Sequence, residues 1–335
     1  MELLNIQNER LNVAISPVGA EMQSIRSNDG TEYLWQGNPE YWNRRAINLF
    51  PYIARLTNET YLYDGKQYHL PIHGFLPDAV MKVEHVTDTE ICFALTDNND
   101  TRTAYPFNFE LRIKYALSDE TIHIRFEVLN TGDREMHFGI GGHPGFCVPL
   151  EDGLTFTDYV LEFDHPCEPR RICFSDACFV TEGAEEYRLA DGRFIPLAHD
   201  LFDHDAIVLT KMSKTVTLKS PKGKKSVAVF YPDMPYVGFW HAVKKDAPYV
   251  CIEPWSSLPS RDGIIEDISL QDNLVHLPAG KQYVNDWFIK ITQAIKLNDY
   301  NLSSVMTNLF TIRTRNPSII KRTCCGRGTP IGQPG

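Results

Sequence analysis

The sequence predicts an all-β protein, built as a large antiparallel β-sandwich with a short helix near the C-terminus. Apolar and polar residues alternate with period two over long stretches, and turn-forming pairs separate these stretches. Before residue 292 there is neither a long amphipathic helix nor an alternation of strands with helices. Two antiparallel sheets packed face to face fit this pattern, whereas a dinucleotide-binding α/β fold does not.

The clearest element is a hairpin over residues 109–130. Apolar residues alternate with polar ones from Phe109 to Leu117, and again from Ile122 to Val128, on either side of a turn at Ser118-Asp119-Glu120. Such alternation is expected of strands with one buried face. The same pattern predicts hairpins at 61–70, around the turn pair Asp64-Gly65, and at 216–230, and a final strand at 281–291.

The composition changes after residue 291, so the sequence predicts a β-sandwich domain over 1–291 and a tail over 292–335. The tail has six basic residues and one acidic residue, which gives it a charge of +5 and leaves −15 on the rest of the chain, for a total of −10. Apolar residues spaced as on a helix predict a short helix at 302–310. The remainder of the tail has no periodicity and is predicted to be disordered.

The acidic net charge argues against binding nucleic acid or an anionic membrane surface. The first residues lack a basic segment followed by an apolar one, and no apolar run approaches 18 residues, so a cytoplasmic protein is predicted. The eight cysteines form neither a CxxC pair nor a zinc-binding spacing with histidine, and they are interpreted as structural thiols. The sequence has no nucleotide-binding loop, so we expect neither cofactor nor metal.

A histidine lies within the glycine-rich segment Ile140–Phe146. Glycines beside the His143-Pro144 step predict a tight, exposed bend with the imidazole at its tip. Because histidine gives and takes protons near neutral pH, His143 is a candidate acid–base residue. The alternative is a core histidine that is hydrogen-bonded to the backbone.

An acid follows the apolar strand-like run Tyr249–Ile252. A carboxylate at the end of a buried strand is costly unless it is paired or used, and desolvation raises its pKa towards that of a useful base. Glu253 is therefore a second candidate, with Pro254-Trp255 supplying a rigid turn and a flat stacking surface. The alternative is a structural salt bridge.

Arg55 and His73 flank the predicted hairpin at 61–70, which is expected to bring them onto neighbouring strands. A guanidinium beside an imidazole can bind sugar hydroxyls or a ring oxygen, although a surface arginine and a packed histidine would explain the two residues separately. The cluster Asp203-His204-Asp205 precedes another strand. Its three side chains cannot all face one metal ion from an extended chain.

Taken in order, these segments resemble the aldose 1-epimerase family, and within it the LacX-like branch. The similar motifs are NLFPYIARL, YLYDGKQYHLPIHGF, GIGGHPGF and YVCIEPWSSLPSRDG, and the resemblance covers residues 3–291. It implies a galactose mutarotase-like supersandwich with its site in a cleft on the concave face. The implied reaction interconverts the α and β anomers of an aldose, without metal or nucleotide.

Carried over residue by residue, the resemblance implies that Glu253 is the general base for the anomeric hydroxyl and His143 the general acid for the ring oxygen. Arg55 and His73 match residues that bind the sugar. An aspartate from a later strand also holds the sugar in this family; Asp205 is the preferred match because it directly precedes Ala206–Leu209, and Asp203 is its competitor. The implied partner is an aldohexose or its phosphate, bound by a monomer or homodimer.

The sequence departs from the family pattern at Pro144-Gly145-Phe146, where galactose mutarotases commonly have Pro-Tyr-Phe, so galactose is not implied as the substrate. One alternative is a hexose-6-phosphate 1-epimerase, which would need an additional cation in the cleft from Lys244, Lys245 or Arg261. Another is a non-catalytic carbohydrate-binding or sensing protein, which would not need both His143 and Glu253. A glycosidase with two distant carboxylates is a third.

Overall fold

The computed structural model describes residues 2–293, and these form 23 strands connected by turns and short helices. The one α-helix among them is α1 (Asn99–Ala104), and the 3-10 helices cover Thr57–Glu59, Leu76–Asp78, Phe156–Asp158 and His199–Phe202. The strands are β1 (Leu4–Gln7), β2 (Leu11–Ile15), β3 (Met22–Ser27), β4 (Ala46–Leu49), β5 (Thr60–Tyr63), β6 (Lys66–His69), β7 (Lys82–Val86), β8 (Glu90–Thr96), β9 (Phe109–Ser118), β10 (Thr121–Asn130), β11 (Met136–Phe138), β12 (Gly141–Cys147), β13 (Val160–Phe163), β14 (Arg170–Phe174), β15 (Val180–Glu186), β16 (Phe194–Pro196), β17 (Ile207–Thr210), β18 (Thr215–Lys219), β19 (Ser226–Phe230), β20 (Tyr236–Trp240), β21 (Tyr249–Trp255), β22 (Val275–Leu277) and β23 (Gln282–Thr292).

Two large antiparallel sheets dominate the architecture. One has nine strands in the order β16-β13-β18-β19-β23-β10-β9-β8-β7, and the other has seven in the order β15-β14-β17-β20-β21-β12-β4. Smaller sheets join β1-β2-β3, β5-β6 and β11-β22. The predicted all-β architecture is therefore confirmed, as are the hairpins β9-β10, β5-β6 and β18-β19.

The main core lies between the two large sheets. Residues of β9, β10 and β23 on one side and of β20 and β21 on the other belong to one apolar cluster. Gly142 of β12 packs tightly against the opposite sheet, because a Cβ at this position would lie 2.6 Å from Cζ2 of the buried Trp287 in β23. The side chain of the next residue, His143, points to the other face of the seven-stranded sheet, since successive residues of a strand face opposite ways.

That outer face of the seven-stranded sheet carries two smaller apolar clusters. One contains Trp255 and Leu258, and the other contains Trp35, Tyr249 and Cys251. Trp42 packs against both clusters. The sheet is therefore apolar on both faces, and its outer face offers an aromatic surface next to the strands that carry His143 and Glu253.

The segment Gly141–Cys147 is a buried strand rather than the predicted exposed bend, so that prediction is wrong. Its glycines do not have the positive φ angles of a turn. They allow close packing instead: a Cβ on Gly141 would lie 2.7 Å from the carbonyl oxygen of Pro254, and one on Gly142 would meet Trp287. Glycine, which usually marks a turn, is here required by neighbours that are distant in the sequence.

The predicted tail over 292–335 lies outside the described residues except for Thr292 and Gln293, and so does its predicted helix at 302–310. The last strand, β23, ends at Thr292. Among the described residues, no helix is long and apolar enough to cross a membrane.

Candidate active site

His143 and Glu253 face each other across two neighbouring strands. In the β12–β21 ladder Gly141 pairs with Trp255 and Gly145 pairs with Cys251, a register that sets His143 opposite Glu253. Residues directly opposite in an antiparallel pair have Cβ atoms about 5 Å apart, so their side chains meet. The Nε2 atom of His143 lies 3.2 Å from Oε2 of Glu253.

Both side chains are almost completely removed from water. The exposed fraction is 7% for His143 and 1% for Glu253. Burial lowers the pKa of His143 well below its usual value, an effect that nearby His73 reinforces. Burial also raises the pKa of Glu253 well above its usual value, and the negative charge of Asp205 adds to this. Both groups are therefore uncharged: the carboxyl group of Glu253 holds its proton, and the imidazole of His143 is neutral.

Two polar atoms of this pair have no hydrogen-bond partner among the described residues. They are Nδ1 of His143 and Oε2 of Glu253, and both are buried. Buried polar atoms are normally paired, and each unpaired one costs about 1–3 kcal/mol. Unpaired atoms beside a recess are what a site needs when its ligand, rather than the protein, supplies the partners.

Aromatic rings surround the imidazole of His143. Trp42 stacks on it, with ring centroids 4.8 Å apart and planes inclined by 29°. Trp240 meets it edge-on at 5.7 Å. Both indoles are partly exposed, so they form walls between the buried pair and solvent. These two tryptophans could not be predicted as site residues, because nothing in their local sequence distinguishes them from core residues.

Arg55 and His73 come together, but not on neighbouring strands as predicted. Both lie in irregular segments that flank the β5-β6 hairpin. Ala54 and His73 have φ angles of 55° and 67°, which an extended strand does not permit. The amide of His73 donates a hydrogen bond to the carbonyl of Ala54 at 2.9 Å, and this bond ties the two segments together. Gly74 allows the close approach, since a Cβ there would lie 2.3 Å from the carbonyl oxygen of Phe50.

The orientation and protonation of His73 follow from its surroundings. The amide of Ala54 donates to Nδ1 of His73 at 3.2 Å, so the neutral ring carries its hydrogen on Nε2. The ring meets the His143 ring at right angles, with centroids 5.4 Å apart. Burial, and next the positive charge of Arg55, lower the pKa of His73 to about 4. His73 is consequently a neutral N–H donor beside the pair at neutral pH.

Asp205 and Asp203 occupy different places. Oδ2 of Asp205 lies 3.4 Å from Nη1 of Arg55 and accepts a hydrogen bond from the thiol of Cys178 at 2.7 Å. Asp203 lines a separate cleft of about 410 Å³ together with His199 and Lys244. Asp205 thus belongs with Arg55, His73 and the buried pair, whereas Asp203 does not.

Exposure decreases across these five residues, a cluster called the recess, from Arg55 and Asp205 to His143 and Glu253. The side chains of Arg55 and Asp205, at its rim, are 42% and 23% exposed, and a cleft of about 400 Å³ begins beside Arg55. His73 is intermediate, and the histidine–glutamate pair lies at the bottom. Cysteines interpreted as structural thiols also reach this recess: Cys178 contacts Asp205, and the Cys251 sulfur lies within 4.8 Å of a ring nitrogen of His143 and a carboxylate oxygen of Glu253.

The all-β sandwich agrees with the comparisons with known proteins. The chain belongs to the aldose 1-epimerase family, whose sequence model matches residues 2–266. The plasmid-encoded protein LacX of Lactococcus lactis subsp. lactis is 33% identical over 279 residues, which cover 79% of this chain and 92% of the relative. The resemblance inferred from the motifs is thereby confirmed.

Two solved structures extend the likeness to three dimensions. A galactose mutarotase related enzyme from Lactobacillus acidophilus is 36% identical, with a TM-score of 0.84 over 89% of this chain and 100% of the other. A galactose mutarotase-like protein from Lactobacillus casei is 29% identical, with a TM-score of 0.81 over 87% of this chain and 100% of the other. The fold is accordingly the galactose mutarotase-like sandwich.

Proposed function

We propose that the protein is an aldose 1-epimerase that interconverts the α and β anomers of an unphosphorylated aldose by acid–base ring opening. The observation that carries this proposal is the 3.2 Å separation between Nε2 of His143 and Oε2 of Glu253. The anomeric hydroxyl and the ring oxygen of an aldose are attached to the same carbon. An acid and a base this close together can therefore serve both oxygens at once.

In this mechanism Glu253 removes the proton of the anomeric hydroxyl while His143 protonates the ring oxygen. The bond between C1 and the ring oxygen breaks, and the electron pair of the former O–H bond forms the aldehyde carbonyl. After rotation about C1–C2, the hydroxyl group formed from the ring oxygen attacks the other face of the aldehyde. In this step the two residues exchange roles. The shifted pKa values place the one titratable proton of the pair on Glu253, so the reaction in this direction begins with its transfer to His143, whose Nε2 lies 3.2 Å from Oε2 of Glu253. This transfer leaves Glu253 as the base and His143 as the acid.

Arg55, His73 and Asp205 would bind the sugar above this pair. His73 offers an N–H from Nε2, Arg55 offers guanidinium N–H groups, and the Asp205 carboxylate accepts from a sugar hydroxyl. The faces of Trp42 and Trp240 suit the C–H face of a pyranose. A Cβ on Gly145 would lie 3.4 Å from Trp42, so the tryptophan occupies space towards which a tyrosine at position 145 would extend. A sugar preference different from that of galactose mutarotases is part of the proposal.

The positions of three cations argue against a phosphorylated sugar. Lys244 and Lys245 line the separate cleft with Asp203 and Asp246. The Nε and Nη2 atoms of Arg261 each donate a hydrogen bond of 2.8 Å to the carboxylate of Glu266. The cations considered for a phosphate group are thus engaged or directed elsewhere, and an unphosphorylated aldose is the favoured substrate.

A purely binding role fits the site less well than a catalytic one. Carbohydrate binding does not require two titratable groups with oppositely shifted pKa values at contact distance, and burying such groups lowers the stability of the protein.

Six cysteines of the described region are unpaired, which supports a reducing compartment such as the cytoplasm.

The test is polarimetry of freshly dissolved α-D-glucose and α-D-galactose with the wild type, Glu253→Gln and His143→Asn. His165→Asn, in which an exposed histidine is changed, is the control. We expect the wild type and the control to accelerate mutarotation, and both site variants to lose at least 100-fold in kcat/KM. If the wild type leaves both spontaneous rates unchanged but accelerates the anomerisation of glucose 6-phosphate, the choice of substrate is wrong. No acceleration of any of the three sugars would favour the binding role.

A further inference from the structure

A pair of histidines outside the recess faces across the two-stranded sheet β11-β22. His137 and His276 are directly opposite each other in the register. Their Nδ1 atoms lie 3.1 Å apart. Glu135, which precedes β11, brings its Oε2 atom within 3.7 Å of Nδ1 of His276. The three side chains offer ligand atoms that all lie within 4.8 Å of one another, and the proposed catalytic mechanism uses none of them.

The hydrogen bond between His276 and Gln271 determines which nitrogen of His276 carries the hydrogen and which can bind a metal ion. Nε2 lies 3.1 Å from the carbonyl oxygen of Gln271, which can only accept, so Nε2 carries the hydrogen. The Nδ1 atom of the neutral ring then presents a lone pair towards Glu135, whose ionised carboxylate is also only an acceptor. Two acceptors that face the same space repel each other unless a positive charge lies between them.

The geometry suits a metal ion as that positive charge. Zinc binds histidine nitrogen at about 2.0–2.1 Å with tetrahedral angles, which sets two such nitrogens about 3.3 Å apart. The observed 3.1 Å is close to this value. Histidines that bind a metal usually donate their other N–H to a carbonyl or carboxylate, as His276 does to Gln271. A simple hydrogen bond between the two rings would leave the Glu135 carboxylate facing a lone pair.

The surroundings hold the His137 ring and leave the other side of the site open. His137 is 4% exposed, and its ring packs edge-on against Phe107 at 6.0 Å. The side chains of His276 and Glu135 are 33% and 48% exposed, so an ion can enter from solvent and Glu135 can move the short distance to it. Asp267 is close enough to act electrostatically on His137, which adds negative potential.

We propose that Glu135, His137 and His276 form a binding site for one divalent transition-metal ion of the zinc type, with solvent as the fourth ligand. The ion would join β11 to β22, two strands distant in the sequence, and would thereby stabilise the folded state. Because β11 leads within three residues into β12, the ion would also brace the strand that carries His143. The site requires neither the proposed reaction nor its substrate.

The test is titration of the full-length, chelator-treated protein with ZnSO₄, followed by calorimetry and by thermal unfolding. Glu135→Gln and His276→Gln remove one ligand each at partly exposed positions, so both variants should fold. His165→Gln is the matched control, because His165 also lies beside a carboxylate, 2.9 Å from Asp164, but without a second histidine. We expect the wild type and the control to bind one equivalent that raises Tm, and both site variants to bind it at least tenfold more weakly.

Cys251, with His143 and Glu253, forms a second group that could bind zinc. A parallel titration with Co²⁺ separates the two sites, since thiolate ligation adds a near-ultraviolet charge-transfer band and ligation by histidine and carboxylate does not. The proposal is overturned if the wild type shows no zinc-dependent rise in Tm, if both site variants bind zinc as tightly as the wild type, or if the only Co²⁺ bound carries the thiolate band. Mutarotation measured on the metal-free protein tests the proposed function independently.

Discussion

Desolvation is the dominant effect on the individual residues of the recess. His143, His73 and Glu253 lie where charge is disfavoured, and for each of them burial is the main cause of the pKa shift. Such shifts move an acid and a base towards the same working range, which acid–base catalysis requires. The same burial makes these residues unfavourable for stability.

Replacing Glu253 should reveal this cost through its pH dependence. The carboxyl group stays protonated in the folded protein at pH values where the unfolded chain has released the proton, so the unfolded state is favoured progressively as pH rises above about 4.5. Glutamine does not titrate. We therefore expect the Tm of Glu253→Gln to exceed that of the wild type by an increasing margin between pH 5 and pH 8. Glu90→Gln, at an exposed position, is the control. If the Tm difference between Glu253→Gln and the wild type shrinks with rising pH, the folded protein holds Glu253 ionised.

Asp205 and Asp203 can be distinguished by matched substitutions. Asp205 contacts Arg55 and Cys178 at the rim of the recess, whereas Asp203 lines the other cleft. Loss of a charged hydrogen bond to substrate costs about 1.5–3 kcal/mol, so Asp205→Asn should lower kcat/KM about 10- to 100-fold, mainly through KM. Asp203→Asn should remain within about twofold of the wild type. Equal effects of the two substitutions on polarimetric rates would contradict this assignment.

At the scale of single elements, β12 shows how packing positions the side chain of His143. Glycines on both sides of His143 let the strand press against β21 and against Trp287 of the opposite sheet. Pro144 lacks an amide hydrogen, and the β12–β21 ladder has no paired residues between Gly141 and Gly145. The interruption coincides with the place where His143 meets Glu253.

Gly142→Ala should therefore be more disruptive than Gly145→Ala in the same strand. A Cβ at position 142 would lie 2.6 Å from a buried indole ring, whereas one at position 145 would lie 3.3 Å from Cβ of Trp35. Overpacking of this kind costs about 1–3 kcal/mol. We expect the urea midpoint of Gly142→Ala to fall accordingly, together with a lower kcat because His143 is displaced. Similar midpoints for the two variants would show that the sheets separate easily at this point.

The two hairpin elements with clear alternation, β9-β10 and β18-β19, were predictable because period two and a local turn define them completely. β12 was not, since its glycines and proline locally favour a turn, and only Trp287, more than 140 residues away, makes them strand residues. In the same way, the motifs indicated Arg55 and His73, but the positive φ angles that hold them in irregular segments are set by long-range contacts. The tryptophan walls could not be predicted without the three-dimensional arrangement.

At the scale of the whole molecule, the nine-stranded sheet has its last strand at its centre. β23 lies between β10 and β19, and it pairs with β10 over residues 282–290 and with β19 over residues 288–292. Trp287 and the residues alternating with it reach into the main core. The centre of the sheet is therefore occupied by the last strand in the sequence, and the sheet is incomplete until that strand is added.

Truncation should show where the folding unit ends. A chain that ends after Gln293 keeps all of β23, and we expect it to unfold cooperatively and to retain the polarimetric activity of the full-length protein. A chain that ends after Pro278 loses β23, which leaves two unpaired strand edges in the middle of the sheet, and it should be insoluble or lack a cooperative transition. Loss of activity in the chain that ends after Gln293 would require a role for residues 294–335 in the site or in its stability.

The central position of β23 also has a consequence for the nascent chain. The β9-β10 hairpin is complete once residue 130 has left the ribosome, but its partner strand begins only at residue 282. At synthesis rates of 5–20 residues per second, this gap lasts on the order of 8–30 s. During that time the free edge of β10 is exposed to other chains, and Arg125 and Glu127, which later face β23, place charge along it. Translation speed over this interval, rather than the stability of the finished fold, should set the yield of soluble protein.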